Sequence, residues 1–181
     1  ASALQSRMVR LFFALECPDL ETESLPRTYI SEKARNYHIT IAFLGERSDP
    51  EFEAQRVSGV CIDRFPLKME YRGLGAFQKP SNAKVLWIGV RSSGIRKLAS
   101  GVRLVSESED RPFLAHLTIA RFRNQTNLQT LITKHTDTQF GTGSVSNLLL
   151  FKSELKREGA IHTPLYSIES DGHVELLTSD L

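Results

Sequence analysis

Cysteine is scarce: Cys17 and Cys61 are the whole complement, and no paired spacing links them, so neither a disulfide framework nor a cysteine metal site is indicated. Free thiols in a reducing cytosol are the expectation, which points to the cytoplasm. Long apolar runs are missing too. The longest, such as Leu11 to Leu15 and Leu148 to Phe151, are far too short to span a bilayer, so no membrane role is expected. The start does not resemble a signal peptide. A glycine-rich nucleotide loop is absent, which argues against a doubly wound parallel sheet. No sign of charge prevails, because 23 Lys and Arg against 21 Asp and Glu leave a net charge of +2. That balance hides a basic middle made by Lys84, Arg91, Arg96, Lys97, Arg103, Arg111, Arg121 and Arg123, which suits a polyanionic partner. Singly, most of these residues read as solvated surface charge.

The chain has 181 residues, 40% of them hydrophobic, which fits one domain or two lobes sharing a core. Residues 1–7 read as a leader or an expression scar, leaving 8–181 as a single bilobal domain. Val9 to Glu16 reads as a buried strand closed by Cys17-Pro18-Asp19, and Leu20 to Tyr37 as a loop with a short helix. His38 to Leu44 is a second strand. Asp49-Pro50-Glu51 is a helix start, with Asp as the cap, Pro in the first turn and Glu at the positive end of the dipole, giving a helix over Pro50 to Asp63. Alternation from Phe65 to Tyr71 predicts a half-buried strand running into Gly73-Leu74-Gly75, where a bulge or turn is permitted. A strand over Ala83 to Val90, a helix over Ile95 to Val105 and a strand at His116 follow. A weak helix at Asn127 to Lys134 then precedes strands near Val145 to Phe151, Leu165 to Glu169 and Val174 to Leu177. Helices mixed with neighbouring strands indicate an α+β fold.

Within this pattern one short segment occurs twice: His38-Ile39-Thr40-Ile41 and His116-Leu117-Thr118-Ile119. Side chains alternate along a strand, so His and Thr face one way and the residue between them faces the core. Each segment thus offers an imidazole and a hydroxyl to one surface. If the two strands lie together, two imidazoles flank one cleft, as general acid and base catalysis on a phosphate ester requires. The plain alternative is a pair of half-buried strand histidines. The tetrads lie 78 positions apart, one in each half, which suggests two lobes of similar build.

The tetrads and their surroundings resemble the two-histidine (2H) phosphoesterase superfamily, in particular its RNA 2',3'-cyclic phosphodiesterase branch, the LigT/ThpR-like proteins. The matching blocks are Arg10-Leu11-Phe12-Phe13-Ala14-Leu15, His38 to Glu46, Gly73-Leu74-Gly75-Ala76-Phe77, Val85-Leu86-Trp87-Ile88-Gly89-Val90, Arg111 to Arg121, and Leu150-Phe151-Lys152-Ser153, all in family order. The resemblance implies two lobes with antiparallel sheets facing across a central groove, helices on the outer faces, and neither metal nor cofactor. It implies hydrolysis of RNA ending in a 2',3'-cyclic phosphate, such as tRNA fragments, to a 2'-phosphate. In some relatives it extends to 2'-5' RNA ligation. Carried over by position, His38 is the proton donor to the leaving 3'-oxygen and His116 the proton acceptor from water, while Thr40 and Thr118 hold the non-bridging oxygens. A monomer is expected. Between Leu20 and Tyr37, and from Val105 to Arg111, the chain looks shorter than the family pattern.

Other residues carry less. Arg121 is a natural phosphate ligand, but strict alternation puts it on the face of Leu117 and Ile119, away from His116, unless the strand bulges near Ala120. Phe77 is a candidate for stacking on a base and equally for the core. Trp87 reads as core, with cleft lining as the lesser reading, Tyr166 has no spacing that demands a role, and His135, His162 and His173 read as structural or exposed. Three rival functions remain: a metal site on His38 and His116, which lacks a third ligand on either strand face; a silent RNA-binding module; and a 2H enzyme for another cyclic phosphate or a 2'-5' oligonucleotide.

Overall fold

The first strand is apolar on both faces because both are covered. In the computed structural model, which describes residues 7–17, 20–29 and 37–178, β1 (Val9–Glu16) lies inside a five-stranded sheet. Leu11, Phe13 and Leu15 enter the main core on one face, while Phe12 and Ala14 join Leu149 and Phe151 in a smaller cluster on the other. Residues 1–6 of the expected leader, Pro18 and Asp19 of the first turn, and 30–36 of the expected loop lie outside the described residues. Within Leu20 to Tyr37 the described part holds a single 3-10 turn at Arg27–Tyr29.

The remaining strands are β2 (His38–Arg47), β3 (Leu67–Lys79), β4 (Asn82–Arg91), β5 (His116–Thr126), β6 (Gln139–Val145), β7 (Asn147–Lys156), β8 (Gly159–Glu169) and β9 (Val174–Leu176). They form two antiparallel sheets, ordered β2-β1-β7-β8-β9 and β5-β4-β3-β6. Each tetrad strand is therefore the edge of its sheet, paired to the strand before it, and the two edges meet. Two lobes facing across a groove follow directly, as the α+β expectation had it.

Helices cover the outer faces. In α3 (Ile95–Ser106), Ile95, Leu98, Ala99 and Val102 are buried at helical spacing, and Glu107 stops it in the left-handed conformation with φ 51°. The helix expected over Pro50 to Asp63 is instead two pieces, α1 (Pro50–Arg56) and α2 (Ser58–Cys61). The start is as read: Asp49 caps through a 3.1 Å bond from Phe52 N–H. Ser58-Gly59, both poor helix formers, follow the break, which leaves Val57 and Cys61 buried. Burial pushes the Cys61 thiol up to about 12, so it is expected to resist thiol reagents until the protein unfolds, as a labelling time course in rising urea would show. The weak helix at Asn127 to Lys134 is α4 (Gln129–Lys134).

One further expectation needs correction. The strand near Val145 to Phe151 is two strands in different sheets, β6 ending at Val145 and β7 beginning at Asn147. The segment Gln139-Phe140-Gly141-Thr142-Gly143 also belongs to β6, its glycines masking the alternation. Of the bulge or turn permitted at Gly73, the bulge is what forms, with φ +77° between Tyr71 and Leu74, and β3 runs on to Lys79.

One buried carboxylate fastens helix to sheet. Glu53 of α1 pairs with Arg47 of β2 at 3.0 Å and Arg56 at 2.9 Å, and both arginines also donate to Ser106 O at the end of α3. Removing one partner of a buried cluster leaves the others uncompensated. Glu53→Ala is expected to destabilise the fold by about 3 kcal/mol, measured by urea denaturation.

Candidate active site

Both tetrads carry the same irregularity. Ala14 pairs with Thr40 but Phe13 with Ala42, which makes Ile41 an extra residue; likewise Trp87 pairs with Thr118 but Leu86 with Ala120, which makes Ile119 extra. An extra residue resets the alternation. Ile41 and Ala42 both turn to the core, as do Ile119 and Ala120. The third residue after each threonine consequently returns to the groove face: Phe43 in one lobe and Arg121 in the other. The parity conflict at Arg121 is thereby removed, since Arg121 pairs with Val85, two positions from Trp87 and so on its face.

His38, Thr40, His116, Thr118 and Arg121 all line one cavity of about 460 Å³ between the lobes. Phe43, Tyr37, Phe151 and His162 line it too. The structure thus brings together all the residues expected at the site except Phe77, whose ring instead backs His116 at 5.1 Å, outside the lining. Trp87, expected in the core, is half-buried and lies 5.9 Å from the same imidazole. Tyr166 is buried, His135 is buried and bonded to Thr138 Oγ1 at 3.0 Å, and His173 is exposed on a turn. His162 is exposed, as expected, and its ring lines the cavity.

The Nδ1 of His116 lies 2.6 Å from the carbonyl oxygen of Leu114. A carbonyl only accepts, so Nδ1 carries the proton and Nε2 the lone pair in the neutral ring. Burial holds the His116 imidazole below its ordinary value; the Leu114 bond opposes this and the nearby Arg121 charge adds to it. His116 is neutral at pH 7 and suited to accept a proton. His38 sits among rings, 5.4 Å from Phe12, 5.8 Å from Phe151 and 5.5 Å from His162. Its hydroxyl neighbour Thr40 and the opposed Thr118 supply donors without charge, and Arg121 supplies the cation. Among the described residues no group of three or more His, Cys, Asp or Glu is gathered as for a metal ion, and no helix is long and apolar enough to cross a membrane.

Tyr37, Phe43, Phe151 and His162 are cavity residues that the sequence did not single out. Phe43 is 40% exposed, with the Arg111 guanidinium 4.4 Å over its ring; the shared Ile-Ala after each tetrad threonine, once read as a bulge, marks it. No sequence signal marks His162. Behind the second tetrad, the absent side chain of Gly75 makes room for the Trp87 indole, which an added Cβ would overlap. Gly75→Ala is therefore expected to cost about 1–3 kcal/mol and to shift the emission of this sole tryptophan, as fluorescence-monitored unfolding would show.

Comparison with known proteins agrees with this geometry. Residues 19–87 match the model of the LigT-like phosphoesterase family. An Aeropyrum pernix protein named RNA 2',3'-cyclic phosphodiesterase is 33% identical over 147 residues, covering 75% of this chain and 82% of its own. The solved apo form of Escherichia coli LigT superposes with a TM-score of 0.65 at 25% identity, covering 90% of this chain and 97% of that one. A solved Thermus thermophilus protein gives 0.67 at 23% identity over 90% and 98%. With its twin edge-strand tetrads bulged alike over one groove, the chain belongs to the LigT-like phosphoesterase family.

Proposed function

We propose that the protein hydrolyses the 2',3'-cyclic phosphate at the end of an RNA to a 2'-phosphate, dividing acid and base work between His38 and His116 without a metal. The observation that carries this reading is the convergence of both imidazoles, both threonine hydroxyls and Arg121 on one cavity from two sheet edges. The name of the Aeropyrum pernix relative supports the substrate class.

In-line attack needs a proton removed on one side of phosphorus and one delivered on the other. Water attacks phosphorus while His116 Nε2 takes its proton; the P–O3' bond breaks, and His38 protonates the departing 3'-oxygen. The phosphate stays on O2'. Thr40, Thr118 and Arg121 meet the charge that grows on the non-bridging oxygens. Ring strain in the cyclic ester lightens the leaving step, so imidazoles suffice. Because one histidine must be neutral and the other charged, rate against pH is bell-shaped. Its acid limb lies below the ordinary imidazole range, since burial depresses His116 and activity is lost only as pH falls through that lowered value.

The test is a short RNA ending in a 2',3'-cyclic phosphate, incubated with protein in excess EDTA, with the chain end followed by mass. Gain of one water at an undiminished rate is expected. Tight binding without turnover would make the groove a silent RNA-binding module, and activity lost in EDTA but restored by zinc would restore the metal reading.

A further inference from the structure

Three histidines, rather than two, share the groove. His162 of β8 is three strands away from His38 of β2 and six residues out of register with it, so a flat sheet would part them by about 14 Å across the strands and about 20 Å along them. Yet their ring centroids are 5.5 Å apart in a T-shaped contact of 85°. The sheet coils so that the two side chains meet over Phe12 and Phe151, whose own rings stack at 5.1 Å. His162 also stands T-shaped to Phe12, 5.0 Å away. Phe12, Phe151 and His162 together surround the His38 ring.

We propose that His162 is a positioning residue for His38, completing the aromatic wall that fixes the donor ring and forming with it a pair that carries a single proton. This rests on the cyclic phosphodiesterase reading, in which His38 acts charged and His116 neutral. A T-shaped imidazole pair accommodates one charged and one neutral ring, whereas two charged rings repel. The surroundings decide which ring stays neutral. Arg121 of β5 reaches both His116 and His162 electrostatically, and burial together with that charge holds His162 below its ordinary value. On the same sheet face, Arg10 of β1 lies in register with Ser153 and His162, and Glu46 of β2 lies opposite Arg10. Lys152 and Glu154 of β7 alternate onto the other face and pair with each other at 3.0 Å. Within the groove, then, a second positive charge at His162 is opposed by Arg121 and by charged His38.

The test is an NMR titration of the His38 imidazole in the wild-type protein and in His162→Phe, His162→Gln and His162→Lys, read beside the pH profiles of kcat. In the wild type the His38 curve is expected to show a second, smaller inflection at low pH as His162 charges, and this inflection disappears in the Phe and Gln variants. The permanent cation of His162→Lys is expected to lower the His38 midpoint by about one pH unit and to draw in the basic limb of kcat equally. His162→Ala is expected to lower kcat about tenfold with KM within about twofold, and His162→Phe to recover most of that loss by restoring a ring. A His38 midpoint unchanged in His162→Lys, or a single inflection in the wild type, overturns the inference while leaving cyclic phosphodiesterase turnover intact. Coupled titration in a protein that turns over no cyclic phosphate would instead overturn the enzymatic reading alone.

Discussion

His116→Ala is expected to lower kcat on a 2',3'-cyclic phosphate about 10³-fold, within the range for losing a positioned general base, and KM is expected to change little. The expectation comes from a single contact. The Leu114 carbonyl fixes the proton on Nδ1, so the lone pair of Nε2 is the basic site, and burial keeps it unprotonated at neutral pH. Loss of the imidazole also removes the acid limb of the profile, because no group remains that must lose a proton before reaction. His38→Ala removes the opposite limb, that of the acid, at a similar cost. The two losses are not expected to add, since each ring serves one concerted displacement and the doubly substituted protein retains only what the hydroxyls and Arg121 supply. Stopped-time assays from pH 5 to 9 on the three variants separate these outcomes. Equal losses at every pH with both limbs intact would contradict the division of labour.

Arg121→Ala is expected to lower kcat/KM about 10²-fold, comparable to the loss of one donor to a developing oxyanion. The bulge at Ile119 is the reason: without it the guanidinium would leave the groove face on which His116 and Thr118 stand. A second effect has a definite sign. The Arg121 charge helps depress both His116 and His162, so its removal raises the proton affinity of each, and the acid limb moves to higher pH. Arg121→Lys keeps the charge while losing the planar fork, so it holds the acid limb in place but recovers only part of the rate. A limb that stays put in Arg121→Ala would place the cation too far from His116 to matter.

Legibility from sequence followed local physics. The tetrads could be read because alternation couples His to Thr within a strand, and two copies of the pattern point to two lobes. The helix start at Asp49-Pro50 could be read because capping is a local hydrogen bond, whereas the break at Val57 depends on what Val57 and Cys61 bury against. The segment now seen as β6 escaped because Gly141 and Gly143 contribute no side chain to the alternation. Bulges set the face of Arg121 and Phe43, and a bulge is a property of two paired strands rather than of one. His162 was illegible for a related reason: it reaches His38 only through the coiling of a sheet whose order, β2-β1-β7-β8, joins the beginning of the chain to its end. Family resemblance supplied the substrate class, which no spacing in the chain contains.

In the proposed mechanism His38 and His116 act from opposite sides of one phosphorus, with His38 delivering its proton to O3'. Phosphorus NMR of the product from a uridine 2',3'-cyclic phosphate tests this most directly. A 2'-phosphate alone is expected, whereas a 3'-phosphate, or a mixture of the two, would mean that O3' is not the oxygen His38 protonates.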